Sequence, residues 1–174
     1  MELFSAAGYE FILRWIHFMS GITWIGLLYY FNFVQAPFMG EAEAGTKTDI
    51  TTKLAPRSLW WFRWGAMFTI IAGLLIYFQR MHQMGAGQFF ESSYGISITI
   101  GGTLGLIMWF NVWFIIWPNQ KFIIAATQAA KDAGKAPEGI GNRPRVAFLA
   151  SRTNTMLSIP MLFFMAAASH MPWG

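Results

Sequence analysis

The sequence predicts an all-α protein, a bundle of four transmembrane helices with both termini on the extracytoplasmic side. Three observations predict it. Of 174 residues, 55% are hydrophobic and only 11% are charged, where a soluble domain carries about 25% charged residues. Four apolar runs each approach or exceed the roughly 20 residues that a span requires. Lys and Arg concentrate in the segments after the first and third runs, which the positive-inside rule assigns to the cytoplasm.

The first span is expected over residues 11–34, broken by Pro37 and Gly40, since proline removes a helix donor and clashes with the preceding turn. Residues 40–57 hold Glu41, Glu43, Lys47, Asp49 and Lys53 and read as a connecting loop, with room for a short surface helix. The second span, 60–78, opens on Trp60, Trp61 and Trp64 around Arg63, an interfacial aromatic cluster with a snorkelling cation. Residues 80–92 read as a Gly- and Gln-rich loop. The third span, 94–117, ends at Pro118 and carries Gly95, Gly101, Gly102 and Gly105. Gly101 and Gly105 form a small-xxx-small pair, which favours close helix packing and leaves cofactor clearance as the alternative. An amphipathic continuation (119–135) and a Gly/Pro/Lys loop (134–144) lead to the fourth span, 146–168, polar in its first half. Pro160 should kink that span and free a carbonyl near Met156. Together residues 1–174 read as one integral membrane domain.

Composition also excludes. With no cysteine, there are no disulfides, thiolate metal sites, iron–sulfur clusters or thioether-attached haem. The formal charge of +4 is read as topology and not as affinity for nucleic acid. Residues 1–9 lack the basic start of a cleaved signal peptide. The expected surroundings are membrane lipids, and the expected location is the bacterial inner (cytoplasmic) membrane, multi-pass, with the long loops cytoplasmic.

A histidine inside a membrane helix is costly without a partner. His17 lies roughly 9 Å inside the first span at the helical rise. Arg14, His17, Gly21 and Trp24 share one helix face, read here as a cofactor wall with Gly21 leaving space beside the imidazole. His170 closes the fourth span toward the same membrane face, beside Ala166 and Ala167. His82 reads as a solvated loop residue. Structural alternatives stand for the other two: a packed His17 donating to a neighbouring carbonyl, and a hydrated interfacial His170. Imidazoles from two facing helices can hold a haem iron axially. The reading is therefore one haem b near the outer face, with His17 and His170 as metal ligands. Arg14 and Arg80 would pair with its propionates, and Gly101 and Gly102 would provide clearance. Copper or zinc would need a third ligand at that depth, which the sequence lacks.

Several stretches resemble the N-terminal domain of membrane-bound urate oxidase (urate hydroxylase). They are Arg14-Trp15-Ile16-His17 with Gly21-Ile22-Thr23-Trp24-Ile25-Gly26, then Trp61-Phe62-Arg63-Trp64, and Gly105-Leu106-Ile107-Met108 through Asn111 to Trp117-Pro118-Asn119-Gln120-Lys121. The fullest is Ser151-Arg152-Thr153-Asn154-Thr155-Met156-Leu157-Ser158-Ile159-Pro160, ending in Ser169-His170-Met171-Pro172. The resemblance implies a bundle of membrane helices, oxidative chemistry on urate, and a fused cytochrome c domain that takes the electrons. The sequence departs from it in three ways. It lacks the further helices and the cytochrome domain, its first loop has no Gly-rich, His-containing stretch, and Thr99 stands where a histidine is expected. The expected function is a membrane cytochrome b-like subunit exchanging electrons with a cytochrome c or a larger membrane redox complex. The alternatives are a non-catalytic accessory subunit of a membrane complex and a urate-oxidising enzyme, for which no general base is evident in the spans.

Overall fold

The computed structural model describes residues 5–171. The start of the segment read for a signal peptide and Pro172 of the last motif lie outside them. Helix α1, Ala6–Tyr29, begins at Ser5, whose hydroxyl accepts from the Gly8 N–H at 3.2 Å, satisfying one of the free donors of the first turn. It continues through a π-helical segment, Tyr30–Gln35, into α2, Ala36–Glu41. Helix α3, Ala44–Asp49, passes through a second π segment, Ile50–Leu54, into α4, Ala55–Met84. A short α5, Ala86–Glu91, turns into α6, Ser93–Phe110. A third π segment, Asn111–Ile116, joins α6 to α7, Trp117–Ala133. Helix α8, Arg143–His170, closes the chain.

Pro37 and Gly40 therefore do not end the first helix, and residues 44–57 are helical and not a loop. The physical reason is the same at three places. Each π segment stops two residues before a proline: Pro37, Pro56 and Pro118. In each, the residue preceding that proline donates five residues back, Ala36 to Phe31, Ala55 to Ile50 and Trp117 to Val112. A proline in a regular α-helix strikes the carbonyl four residues earlier. Widening the preceding turn relieves that clash and keeps the backbone bonded. The 80–92 stretch is also helical for most of its length, since α4 runs on to Met84 and Gly85, at φ 80°, makes the turn into α5. Pro160, by contrast, sits inside an unbroken α8.

Three helical runs, Gly8–Glu41, Ala44–Met84 and Ser93–Ala133, are long and apolar enough to cross a membrane. Helix α8 is not among them, because its first half is polar. Helix α1 packs on α4 and α6 on α8; α4 meets α6, and α1 meets α8 toward the end where Pro37, Pro56 and Pro118 lie. The core is Trp24 and Leu28 of α1, Leu59, Phe62 and Ala66 of α4, Met108 of α6, and Val112 and Ile116 of the π segment that follows it. Phe31 meets Phe62 edge-on at 5.4 Å. At Gly65 the α1 and α4 backbones nearly touch, since a Cβ there would lie 3.2 Å from the Trp24 nitrogen.

The helices are also stitched by polar side chains. The Tyr29 hydroxyl lies 2.9 Å from that of Ser158, and Asn32 donates to Ser151 at 2.8 Å. Asn111 donates to Asn154, which donates in turn to the Met108 carbonyl. Ser151, Asn154 and Thr155 in the first half of α8 thus face its neighbours, while Arg143, Arg145, Arg152 and Thr153, and further on Met156, Ile159 and Phe163, are exposed. In the polar stretch before α4, Asp49 accepts from Lys131 and Lys53, each at 2.8 Å. Those two hydrogen bonds, that of Lys131 first, pull its carboxyl down to about 2.

Candidate functional site

His17 is half-buried on α1 and turns toward α4. Its Nδ1 lies 2.8 Å from the Thr69 carbonyl oxygen. A carbonyl can only accept, so Nδ1 carries the proton and Nε2 keeps its lone pair. The imidazole lies directly over Gly73. A Cβ at that position would come within 2.9 Å of His17 Cε1 and 3.0 Å of Nδ1, a separation that would force the ring to move. The Thr69 hydroxyl donates to the Gly65 carbonyl at 2.7 Å and sits 3.0 Å from the Ser20 hydroxyl. Ser20 itself bonds the Ile16 carbonyl at 2.6 Å. His17 is thus one rung of a polar seam between α1 and α4.

His170 is exposed at the end of α8, and its Nδ1 lies 3.0 Å from the Ala166 carbonyl of its own helix. It too presents Nε2 as the free nitrogen. The Tyr29–Ser158 contact fixes the register of α1 against α8. His17 precedes Tyr29 by twelve residues, and His170 follows Ser158 by twelve. With both stretches helical, each histidine stands about 18 Å along its own helix from that contact, on the same side of it. Each ring is nonetheless tied to a different helix, His17 to α4 and His170 to α8.

On the same side of that contact is a charge cluster that sequence reasoning placed only in part. Arg14 and Arg80 do meet, near the start of α1, but both hold the carboxylate of Glu10. Arg14 approaches it through Nε at 2.9 Å and Nη2 at 2.8 Å, and Arg80 through Nη2. Two guanidiniums against one carboxylate leave a single net positive charge. Arg80 Nε is buried without a partner, as is Gln79 Oε1 next to it in sequence.

The small residues divide. A Cβ on Gly21 would meet only Thr69, at 3.8 Å, so Gly21 lies along the α1–α4 seam. Trp24 belongs to the core, 1% exposed, with its Nε1 unpartnered. Gly101 is closed by Phe164 and Met161 of α8, the close packing that its spacing favoured. Gly102 has nothing within 4 Å of where a Cβ would stand. Thr99 bonds the Gly95 carbonyl and lies 3.1 Å from the Tyr77 hydroxyl. His82 is exposed. Among the described residues no three or more His, Asp or Glu side chains gather as a metal-binding group.

Thr69, Gly73, Ser20 and Glu10 were missed from the sequence. Glu10 had a signal, its spacing of four from Arg14. Gly73 was a lone glycine inside an apolar helix, a position that usually has a packing reason.

Long apolar helices of this kind, packed into an all-α bundle, define a polytopic membrane protein class. Within it, the family model described as urate oxidase N-terminal matches residues 81–174, more than half of the chain. The chain belongs to the urate oxidase N-terminal family. The matched part contains Gly101, Gly102 and His170; Arg14, His17, Gly21, Trp24 and Arg80 precede it. Comparison with curated proteins gives no match, and comparison with solved structures gives none.

Proposed function

We propose that this chain is a membrane-embedded electron-transfer subunit that binds one haem b near its outer face and exchanges electrons with a cytochrome c or a larger redox complex. The observation that carries the reading is the pair of histidines on one side of the Tyr29–Ser158 contact, each with Nδ1–H given to a backbone carbonyl. That bond sets the tautomer and ring orientation of a metal-ligating imidazole and leaves Nε2 to the metal. The residues present fit the group in their donor set. A bound haem would supply one-electron chemistry. His17 would hold its ring plane through Thr69 and Gly73, and His170 would approach from the opposite helix. The Glu10 cluster would offer its one surplus positive charge to a propionate, with Arg80 Nε the donor still free.

The same reading takes α8 as a fourth span, both termini as extracytoplasmic and the lysine-rich segments as cytoplasmic, in the bacterial inner membrane. Its support is that α8, with 28 residues, is about 42 Å long and turns Asn154, Thr155 and Ser158 inward while Met156, Ile159, Leu162 and Phe163 are exposed. The test is an absorption spectrum of the purified protein, oxidised and reduced. A b-type signal lost in both His17→Ala and His170→Ala is expected; a wild type without one ends the reading.

The exposure of His170 favours a second reading, a non-catalytic accessory subunit whose outer surface is completed by a partner. Co-purification in a stable complex with no cofactor in this chain would select it. Urate oxidation rests on the family alone. Membranes containing the chain and supplied with a cytochrome c would consume urate if it holds.

A further inference from the structure

We propose that the groove between the inner parts of α1 and α4 is a binding site for an anionic glycerophospholipid. The groove has a volume of about 410 Å³. Ile22, Gly26 and Leu27 form its α1 side, and Arg57 and Trp61 its α4 side. Gly26 makes the floor, because nothing stands within 4 Å of the place of its missing Cβ. The two hydroxyls in the wall are already used. Thr23 donates to the Met19 carbonyl at 3.1 Å and Ser58 to the Leu54 carbonyl at 3.2 Å. What remains is an apolar slot that suits an acyl chain.

Charge says which lipid. Five other arginines have partners: Arg14 and Arg80 hold Glu10, while Arg63, Arg143 and Arg152 lie over aromatic rings. Arg57 is exposed at the inner mouth of the slot, and among the described residues it has neither an ion pair nor a ring partner. One turn further on, Trp61 is 60% exposed and meets Trp60 edge-on at 5.0 Å, the placement of an indole at the headgroup boundary. An acyl chain along Gly26 therefore sets its phosphate at the Arg57 guanidinium. A zwitterionic headgroup carries its own cation and gains less there. The site lies on the lysine-rich side, where anionic lipids are attracted to basic segments.

The test is native mass spectrometry of the full chain, in detergent with equal amounts of phosphatidylglycerol and phosphatidylcholine. Wild type should retain phosphatidylglycerol about fivefold over phosphatidylcholine, the preference expected of one cation near the surface. Arg57→Gln should retain both equally, while Arg145→Gln keeps the preference. Gly26→Leu, which fills the slot, should lower retention of both lipids with helix content unchanged by circular dichroism. Equal retention by wild type, or a preference that survives Arg57→Gln, overturns the proposal. So does a concentration-dependent dimer that excludes both lipids, since it would make the groove a contact between copies.

Discussion

At the end of the bundle where Pro37, Pro56 and Pro118 lie, Phe62, Met108 and Val112 are sealed from solvent, and Asn154 joins two helices with both ends of its amide satisfied. At the opposite end, that of the histidines, His170 is exposed, Gly102 has open space beside it, and Arg80 Nε is buried without a partner. The proline end has the polar stitching that sets the register of α8 against its neighbours, with Asn32 Oδ1 and Gln35 Oε1 left unpartnered. The histidine end is held by the His17–Thr69 seam, the Glu10 cluster and Phe89, sealed against Tyr77 and Tyr94. Buried polar atoms without a partner occur at both ends, so what sets the histidine end apart is the exposed imidazole of His170 and the open space beside Gly102, where a ligand has room.

Substitutions can break that contrast. The largest loss is expected at the proline end: Phe62→Ala should cost about 3–5 kcal/mol, measured by unfolding in detergent. A loss no greater than that of Phe89→Ala, the equally buried phenylalanine at the histidine end, would mean the two halves are equally secured. Next is Gly73→Ala, whose methyl would collide with the His17 ring. Overpacking of this kind costs about 1–3 kcal/mol. On the haem reading it also moves the absorption bands of the cofactor. A stability change with an unmoved spectrum would leave His17 as a packing residue. Asn154→Leu removes two buried hydrogen bonds and strands Asn111; about 1–2 kcal/mol is expected, and a neutral result would remove the polar stitching at the proline end from the account.

Smaller effects are expected at the charged groups. Glu10→Gln takes the shared carboxylate from Arg14 and Arg80 and should cost under about 1 kcal/mol, mostly relieved by salt. The smallest belongs to Asp49. Its carboxyl titrates at about 2 in the folded chain, below its ordinary value of about 3.9. Its contribution is therefore complete above that ordinary value and is lost as pH falls through 2. Asp49→Asn should flatten the stability profile over that window; an unchanged profile would show that Lys131 does not secure α3 to α7.

The sequence showed the helices plainly, because apolar length and loop charge are carried by many residues at once. It hid how they end. Pro37 and Pro118 were read as breaks, since a proline in isolation is one; only the carbonyl five residues before Ala36 or Trp117 reveals the accommodation. The family resemblance was borne out over residues 81–174. At the candidate site, the place of His17 and His170 on long helices could be read from the apolar runs that hold them. Their neighbours could not, because Thr69 and Gly73 reach His17 from a helix some fifty residues away, and Glu10 claims the two arginines from beside one of them.

Each widened turn before a proline inserts one residue relative to an ordinary helix, and one residue is about 100° of rotation. A helical wheel drawn continuously from α1 into α2, or from α6 into α7, therefore goes out of phase at the join. Residues assigned to one side above Tyr30 or Asn111 emerge a quarter-turn away below it. An alanine in place of Pro37 or Pro118, combined with deletion of one residue from the adjoining segment, would restore the phase and re-aim everything downstream.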